Sequence, residues 1–155
     1  MARIIIGPNV RFSYASVFKM SKFGKYTANL LISKADTATL AQVGQRYNEV
    51  MNECLAKGMF KKLPPNHPKF ENPFKDGDIE RPGDPIYAGH YFLNAKTLTQ
   101  PDVVDANKTP LHSDKDFGSG DYGYVSIDFY GFEPNEKRPQ SATGIAVELG
   151  NIQKM

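Results

Sequence analysis

Tyr122-Gly123-Tyr124-Val125-Ser126-Ile127-Asp128-Phe129-Tyr130-Gly131-Phe132 alternates two kinds of side chain with a period of two. A strand sends successive side chains to opposite faces, so Val125, Ile127 and Phe129 share one face. Tyr122, Tyr124, Ser126, Asp128 and Tyr130 share the other. The first set is apolar and reads as a core face. The second is polar, yet it carries tyrosines where a solvated face would carry Thr, Lys and Glu. Two readings of that row stand. Tyrosine favours strands in any case. Alternatively, the rings are displayed for a ligand with flat faces of its own, as unpaired nucleic-acid bases have.

Shorter strands flank this one. An opening strand, or a bent pair, spans Arg3 to Tyr14 and is broken near Gly7-Pro8. Phe12 and Tyr14 share a parity there, which makes at least one a core candidate. Lys25 to Ile32 sets Ala28, Leu30 and Ile32 against Lys25, Thr27 and Asn29. Further strands are expected from Tyr87 to Lys96, near Val103-Val104, and from Gly144 to Leu149. One helix is expected, with apolar residues at Leu40, Val43, Tyr47, Val50, Met51 and Cys54. Asp36 is its N-cap, with Ser33 competing, and Gly58 stops it just after Lys57. The loop Ser16 to Gly24 carries Phe18, Lys19, Lys22 and Phe23, and Glu133 to Thr143 is a polar turn. Residues 59–86 read as a proline-rich excursion without regular structure, through Leu63-Pro64-Pro65, His67-Pro68, Asn72-Pro73, Arg81-Pro82 and Asp84-Pro85.

The 155 residues suit a single domain, 1–155, with room for a sizeable core. The 11 Pro and 13 Gly favour short strands joined by punctuated loops over a helical bundle. No run approaches the ~20 apolar residues of a membrane helix. The start, with Ile4-Ile5-Ile6 ended by Gly7-Pro8, does not read as a signal peptide, so a cytoplasmic, reducing location is expected. Cys54 alone makes neither an internal disulfide nor a cysteine-based zinc site, and its place on the helix stripe reads as structural. Charge divides along the chain. Residues 1–62 hold 10 Lys/Arg against 3 Asp/Glu, a net of +7, whereas residues 63–155 hold 9 against 14, a net of −5. That asymmetry suggests an anionic partner for the first part, unless folding interleaves the two halves.

Motifs for catalysis fail on context. Gly118-Ser119-Gly120-Asp121-Tyr122-Gly123 spells GxGxxG but leads into a strand, whereas a dinucleotide loop opens a helix. Asp76, Asp78, Glu80 and Asp84, with His90 near by, lack the spacing of a calcium loop and read as a solvated acidic stretch. Pro101-Asp102 is not followed by an acid-x-lysine pair of the nuclease kind. His67, His90 and His112 are scattered without a nucleophile pattern. No catalytic residue, metal ligand or cofactor is assigned.

Four stretches carry a resemblance. They are Arg11-Phe12-Ser13-Tyr14-Ala15-Ser16-Val17-Phe18, Gly77-Asp78-Ile79-Glu80-Arg81-Pro82, Tyr87-Ala88-Gly89-His90-Tyr91-Phe92-Leu93-Asn94-Ala95 and Asn151-Ile152-Gln153-Lys154. In this order, from residue 3 to 154, the chain resembles the single-stranded-DNA-binding proteins of tailed bacteriophages, the compact type once classed as a family of unknown function. The resemblance implies a mainly β fold, an OB-fold-like five-stranded barrel with one capping helix and long proline-rich loops. It also implies a basic, aromatic-studded groove serving phage replication, recombination or repair in the cytoplasm of the infected bacterium. In the common OB order the helix lies between the third and fourth strands. Here it follows Ile32, which fits only if Arg3 to Tyr14 supplies two strands. Related phage proteins often carry an acidic C-terminal run that recruits partners; Gln153-Lys154-Met155 shows none.

The expectation is therefore a non-enzymatic binder of single-stranded DNA. Arg11, Lys19, Lys22, Lys25, Arg81 and Lys96 would contact phosphates, and Tyr14, Phe18, Tyr87, Tyr91, Tyr122 and Tyr124 would stack on bases. Further partners would be phage replication or recombination proteins and a second copy of the chain, with no membrane. The alternatives are a metal-dependent nuclease or nucleotide hydrolase using the Asp76 to Asp84 acids, and a structural phage protein.

Overall fold

The alternation in the aromatic strand sorts its side chains as parity requires. In a computed structural model, which describes residues 3–155, Val125, Ile127 and Phe129 are buried in the main core while Tyr122 and Tyr130 are exposed. The elements in chain order are β1 (Ile4–Ser16), β2 (Tyr26–Ser33), α1 (Thr37–Ala56), β3 (Phe74–Asp76), α2 (Gly77–Glu80), β4 (His90–Thr97), β5 (Val103–Val104), β6 (Tyr122–Phe132) and β7 (Gly144–Lys154).

Five of these strands close on themselves. β1 pairs antiparallel with β2 and with β6, β2 with β4, and β6 with β7. A short parallel pairing, Ala95 with Val147 and Lys96 with Glu148, joins β4 to β7 and completes the ring. In barrel order this is first-second-third-fifth-fourth and back to the first, the Greek-key closure of an OB fold. Phe12, Leu30, Leu93, Val125, Ile127, Phe129, Val147 and Ile152 fill the interior. β3 and β5 extend the sheet at its two edges.

Helix α1 packs against the barrel, as its apolar spacing requires. Asp36 is the N-cap, its carboxylate accepting from the Thr39 amide at 3.2 Å and the Thr39 hydroxyl at 2.7 Å. Val43, Val50 and Cys54 are buried, and the Tyr47 ring meets Phe129 edge-on at 5.7 Å. At the other end the chain turns away through Gly58, whose φ of +83° suits a residue without a Cβ.

The polar face of β6 is not solvated throughout. Asp128 lies beneath α1, where Arg46 Nε and a second guanidinium nitrogen donate to its two oxygens at 2.8 and 3.3 Å. Both side chains are buried, and removing either would strand the other charge, a loss of about 3–5 kcal/mol.

Other expectations need correction. β1 is one strand, bent where its register with β6 shifts between Ile6 and Val10, so α1 follows the second barrel strand and not the third. The excursion is not wholly irregular, because β3 and the single turn α2 form within it. β4 begins at His90, leaving Tyr87 in the turn before it, and β7 runs on to Lys154 because Ile152 pairs with both Val125 and Val103. Among the described residues no helix is long and apolar enough to cross a membrane.

Candidate nucleic-acid interface

Residues paired across a sheet share a face, so the register draws the outer surface of the barrel. Tyr122 pairs with Arg11, Arg11 with Leu31, and Leu31 with Phe92, one row crossing β6, β1, β2 and β4. The next row holds Ser13, Asn29 and Asn94, and beyond it lie Thr27 and Lys96. Two apolar side chains in the first row, Leu31 and Phe92, cannot face water at no cost, and the chain covers them. Tyr87 packs on both, its ring edge-on to Phe92 at 4.9 Å and its hydroxyl accepting from Asn29 Nδ2 at 2.8 Å.

Tyr87 is delivered by residues 77–89, which fold over this face as a strap. Gly77 sits where a Cβ would collide with the carbonyl oxygens of Tyr87 and His90. Asp78 accepts the Gly89 amide at 3.0 Å, drawing the strap's two ends together. Lys34, just past β2, pairs with Asp76 and Asp78 at 2.8 Å each. These contacts raise the Lys34 ammonium above its ordinary range, and Lys34 together with the Gly89 amide holds the Asp78 carboxyl below its own. The stretches Gly77 to Pro82 and Tyr87 to His90 are this strap and its fastenings.

From the strap, Arg81 reaches two rings. Its guanidinium lies 4.8 Å from the Tyr14 centroid and 4.9 Å from that of Tyr87, and it donates to the Tyr14 hydroxyl at 3.0 Å. Tyr14 occupies an irregularity in β1, between Ser13 and Ser16, with a φ of +47°. That break turns its ring outward, 59 % exposed, while Phe12 stays fully buried. On the other side of the row, Arg11 lies 5.6 Å from the centroid of Tyr122, itself 44 % exposed. Arg11 Nε is buried without a hydrogen-bond partner among the described residues. A guanidinium beside an open ring offers a positive charge and a π-face together, a combination that suits an anionic, aromatic ligand.

Of the sequence-predicted residues, Tyr14 and Arg81 therefore meet at the strap, and Arg11 and Tyr122 meet each other in the row of which Tyr87 covers Leu31 and Phe92. Lys96 stands on the same outer face, lining an open groove of about 710 Å³ with Tyr130, Arg138 and Glu71. Lys19 and Lys22 are exposed and Lys25 half-buried at the loop joining β1 to β2. Tyr124 is half-buried, opposite Gln153 and farther along β6.

Three rings are placed differently from Tyr14 and Tyr122. Tyr87 is 1 % exposed and props up Arg81 and Tyr14 from below. Phe18 packs against the main core, anchoring its loop. Tyr91 pairs with Ile32 on the opposite parity from Phe92, and its ring lies 5.0 Å from Lys34 Nζ, away from the Arg11 row. The sequence reading named Phe23 without a role; it is 78 % exposed at its loop tip, with Lys22 Nζ 5.2 Å from the ring. A phenylalanine between Lys22 and a glycine was the available signal. It also left out Tyr130 and Arg138, whose juxtaposition with Lys96 depends on barrel closure.

In OB folds, ligands lie across the second and third barrel strands between the first-second and fourth-fifth loops. Here those are β2, β4, residues 17–25 and residues 133–143, the surfaces just described. The architecture matches solved structures. The single-stranded DNA-binding protein from bacteriophage Enc34, in complex with ssDNA, superposes with a TM-score of 0.72 at 24 % identity, covering 99 % of this chain and 85 % of that one. The single-stranded DNA binding protein gp2.5 of bacteriophage T7 gives 0.66 at 17 % identity, covering 99 % and 86 %. Putative protein p50 of Acyrthosiphon pisum secondary endosymbiont phage 1 is 28 % identical over 153 residues, spanning 94 % of this chain and 79 % of its own length. Shared fold and shared sequence thus run end to end, and with residues 2–155 matching the family model described as "Enterobacter phage Enc34, ssDNA-binding protein", the chain belongs to that family.

Proposed function

We propose that this chain, acting as one OB module over residues 1–155, binds single-stranded DNA with little sequence preference. The observation that carries the reading is the pair of open tyrosines, Tyr14 and Tyr122, each beside a guanidinium on the ligand-binding face of an OB barrel. Bases would stack on these rings, each worth ~1–3 kcal/mol, irrespective of base identity because every base has a π-face. Arg11, Arg81, Lys96 and the lysines of residues 19–25 would contact phosphates, with Phe23 and Tyr124 as further rings. Family membership, and a relative solved in complex with ssDNA, support the same reading. The setting would be phage DNA replication, recombination or repair in the cytoplasm of the host, alongside other phage replication proteins.

A nuclease reading would recruit the acids of residues 76–84. Asp76 and Asp78 are engaged by Lys34, and Asp84 accepts the Ile86 amide at 3.0 Å, so a binding module fits the geometry better. The deciding experiment compares oligo-dT with a hairpin duplex of matching length, with and without Mg²⁺. Strong preference for the single strand and no cleavage are expected, because a duplex hides the base faces. Equal affinity for both, or Mg²⁺-dependent cleavage, would overturn the reading.

A further inference from the structure

A second groove lies beyond the turn that joins β6 to β7. Its volume is about 550 Å³, and its walls come from Gly58, Lys61, Lys62, Leu63, Lys69 and the turn residues 133–134 and 141–143. Lys61, Lys62 and Lys69 are exposed, and none forms a salt bridge among the described residues. The sole acid in the lining, Glu133, has one carboxylate oxygen accepting the Phe60 amide at 3.0 Å. Three unpaired ammonium groups around one concavity make a locally positive field, and a concave wall concentrates it.

This groove does not stand apart from the barrel face. It shares Glu133, Pro134 and Ser141 with the groove that holds Lys96, Tyr130 and Arg138. A polyanion lying on Lys96 and Arg138 therefore meets Lys61, Lys62 and Lys69 next, across a single turn of chain. We infer that the DNA track does not end at the barrel face but passes over the β6–β7 turn into the lysine groove, which takes the phosphates of additional nucleotides.

The lysine groove has no open aromatic ring in its lining, so its contribution is to the backbone alone. It is electrostatic, indifferent to base identity and strongly dependent on salt. It also explains what the excursion after α1 does, since Lys61, Lys62 and Lys69 all lie there while its later part forms the strap.

This inference rests on the single-strand-binding reading, and the experiment separates their failures. Lys61→Gln, Lys62→Gln and Lys69→Gln are combined, and affinity is measured for oligo-dT of about 6 and about 16 nucleotides, within the range one OB fold engages. All three side chains are exposed, so an unchanged thermal midpoint is expected and is checked first. The triple variant should bind the short strand as the parent does and the long strand roughly 10-fold more weakly at low salt. The slope of log affinity against log salt on the long strand should shrink by about 2, at about 0.7 per lost phosphate contact. Parental affinity and slope on the long strand would overturn the extended track and leave the barrel-face reading standing. Equal weakening on both lengths would also overturn it, since the lysines would then act as a general field. Failure of the parent protein to bind either oligo-dT would overturn both.

Discussion

Tyr14 holds a backbone conformation that costs an L-residue about 1–2 kcal/mol, with φ at +47°, and its ring is left largely in solvent. Core packing does not repay that cost, because the ring is outside the core. What the conformation achieves is direction: it turns the ring toward Arg81, which donates to its hydroxyl at 3.0 Å. Strain kept at an exposed aromatic is expected of a ligand contact. Tyr14→Ala should therefore weaken oligo-dT binding by about 1–3 kcal/mol, roughly 5- to 150-fold, with little change in the thermal midpoint. Phe129→Ala, which empties a core position, should instead cost about 3–5 kcal/mol of stability. A large fall in thermal midpoint for Tyr14→Ala, with affinity per folded molecule retained, would return Tyr14 to a structural role. The two residues also mark where sequence reading succeeds and fails. Alternation alone placed Phe129 inside, because β6 is regular there. It gave Phe12 and Tyr14 one face, because nothing in Ser13-Tyr14-Ala15 announces a left-handed residue that breaks the period.

At the scale of elements, the strap over residues 77–89 is the part the sequence concealed. Proline-rich composition predicted loop, and most of the segment is loop, but composition cannot say that Tyr87 turns back onto Leu31 and Phe92. α1 was legible from its caps and its 3.6-residue spacing, since both are local signals. The buried Arg46–Asp128 pair was not, because it joins residues far apart in sequence. The strap's fastenings predict how it loosens. Asp78 titrates below its ordinary 3.8, so its contribution is complete above that value and is lost as pH falls through the lowered one. Lys34 titrates above its ordinary 10.5, so its contribution is complete below that value and is lost only at more alkaline pH. Exchange of the Gly89 amide, which Asp78 accepts, should stay slow between these limits and accelerate, after correction for intrinsic rates, in strong acid. Gly77→Ala should speed the same amide at neutral pH, since a Cβ would collide with the Tyr87 and His90 carbonyls. Unchanged exchange in both cases would mean that the strap is held by Tyr87 packing alone.

Over the whole molecule, the charge division along the sequence is partly undone by folding. Lys34 and Arg46, from the basic first part, neutralise Asp76, Asp78 and Asp128 from the acidic remainder. Arg11, Lys19, Lys22 and Lys25 are in none of the salt bridges among the described residues, and neither are Arg81 and Lys96. The asymmetry along the sequence is therefore only a partial guide to the surface, because barrel closure decides which cations are left without an acid and free to meet an anionic partner. The number engaged is measurable. Each phosphate neutralised on a single strand releases counterions and contributes about −0.7 to the slope of log affinity against log salt. A short oligo-dT confined to the barrel face should engage about three to five of these cations, giving a slope of about −2 to −4. Arg81→Ala should make that slope shallower by about 0.7 if Arg81 contacts a phosphate. It should leave the slope unchanged, while still lowering affinity, if Arg81 serves only to hold the Tyr14 ring. Affinity that does not respond to salt at all would remove phosphate contacts from the mechanism and leave stacking on Tyr14 and Tyr122 to account for binding alone.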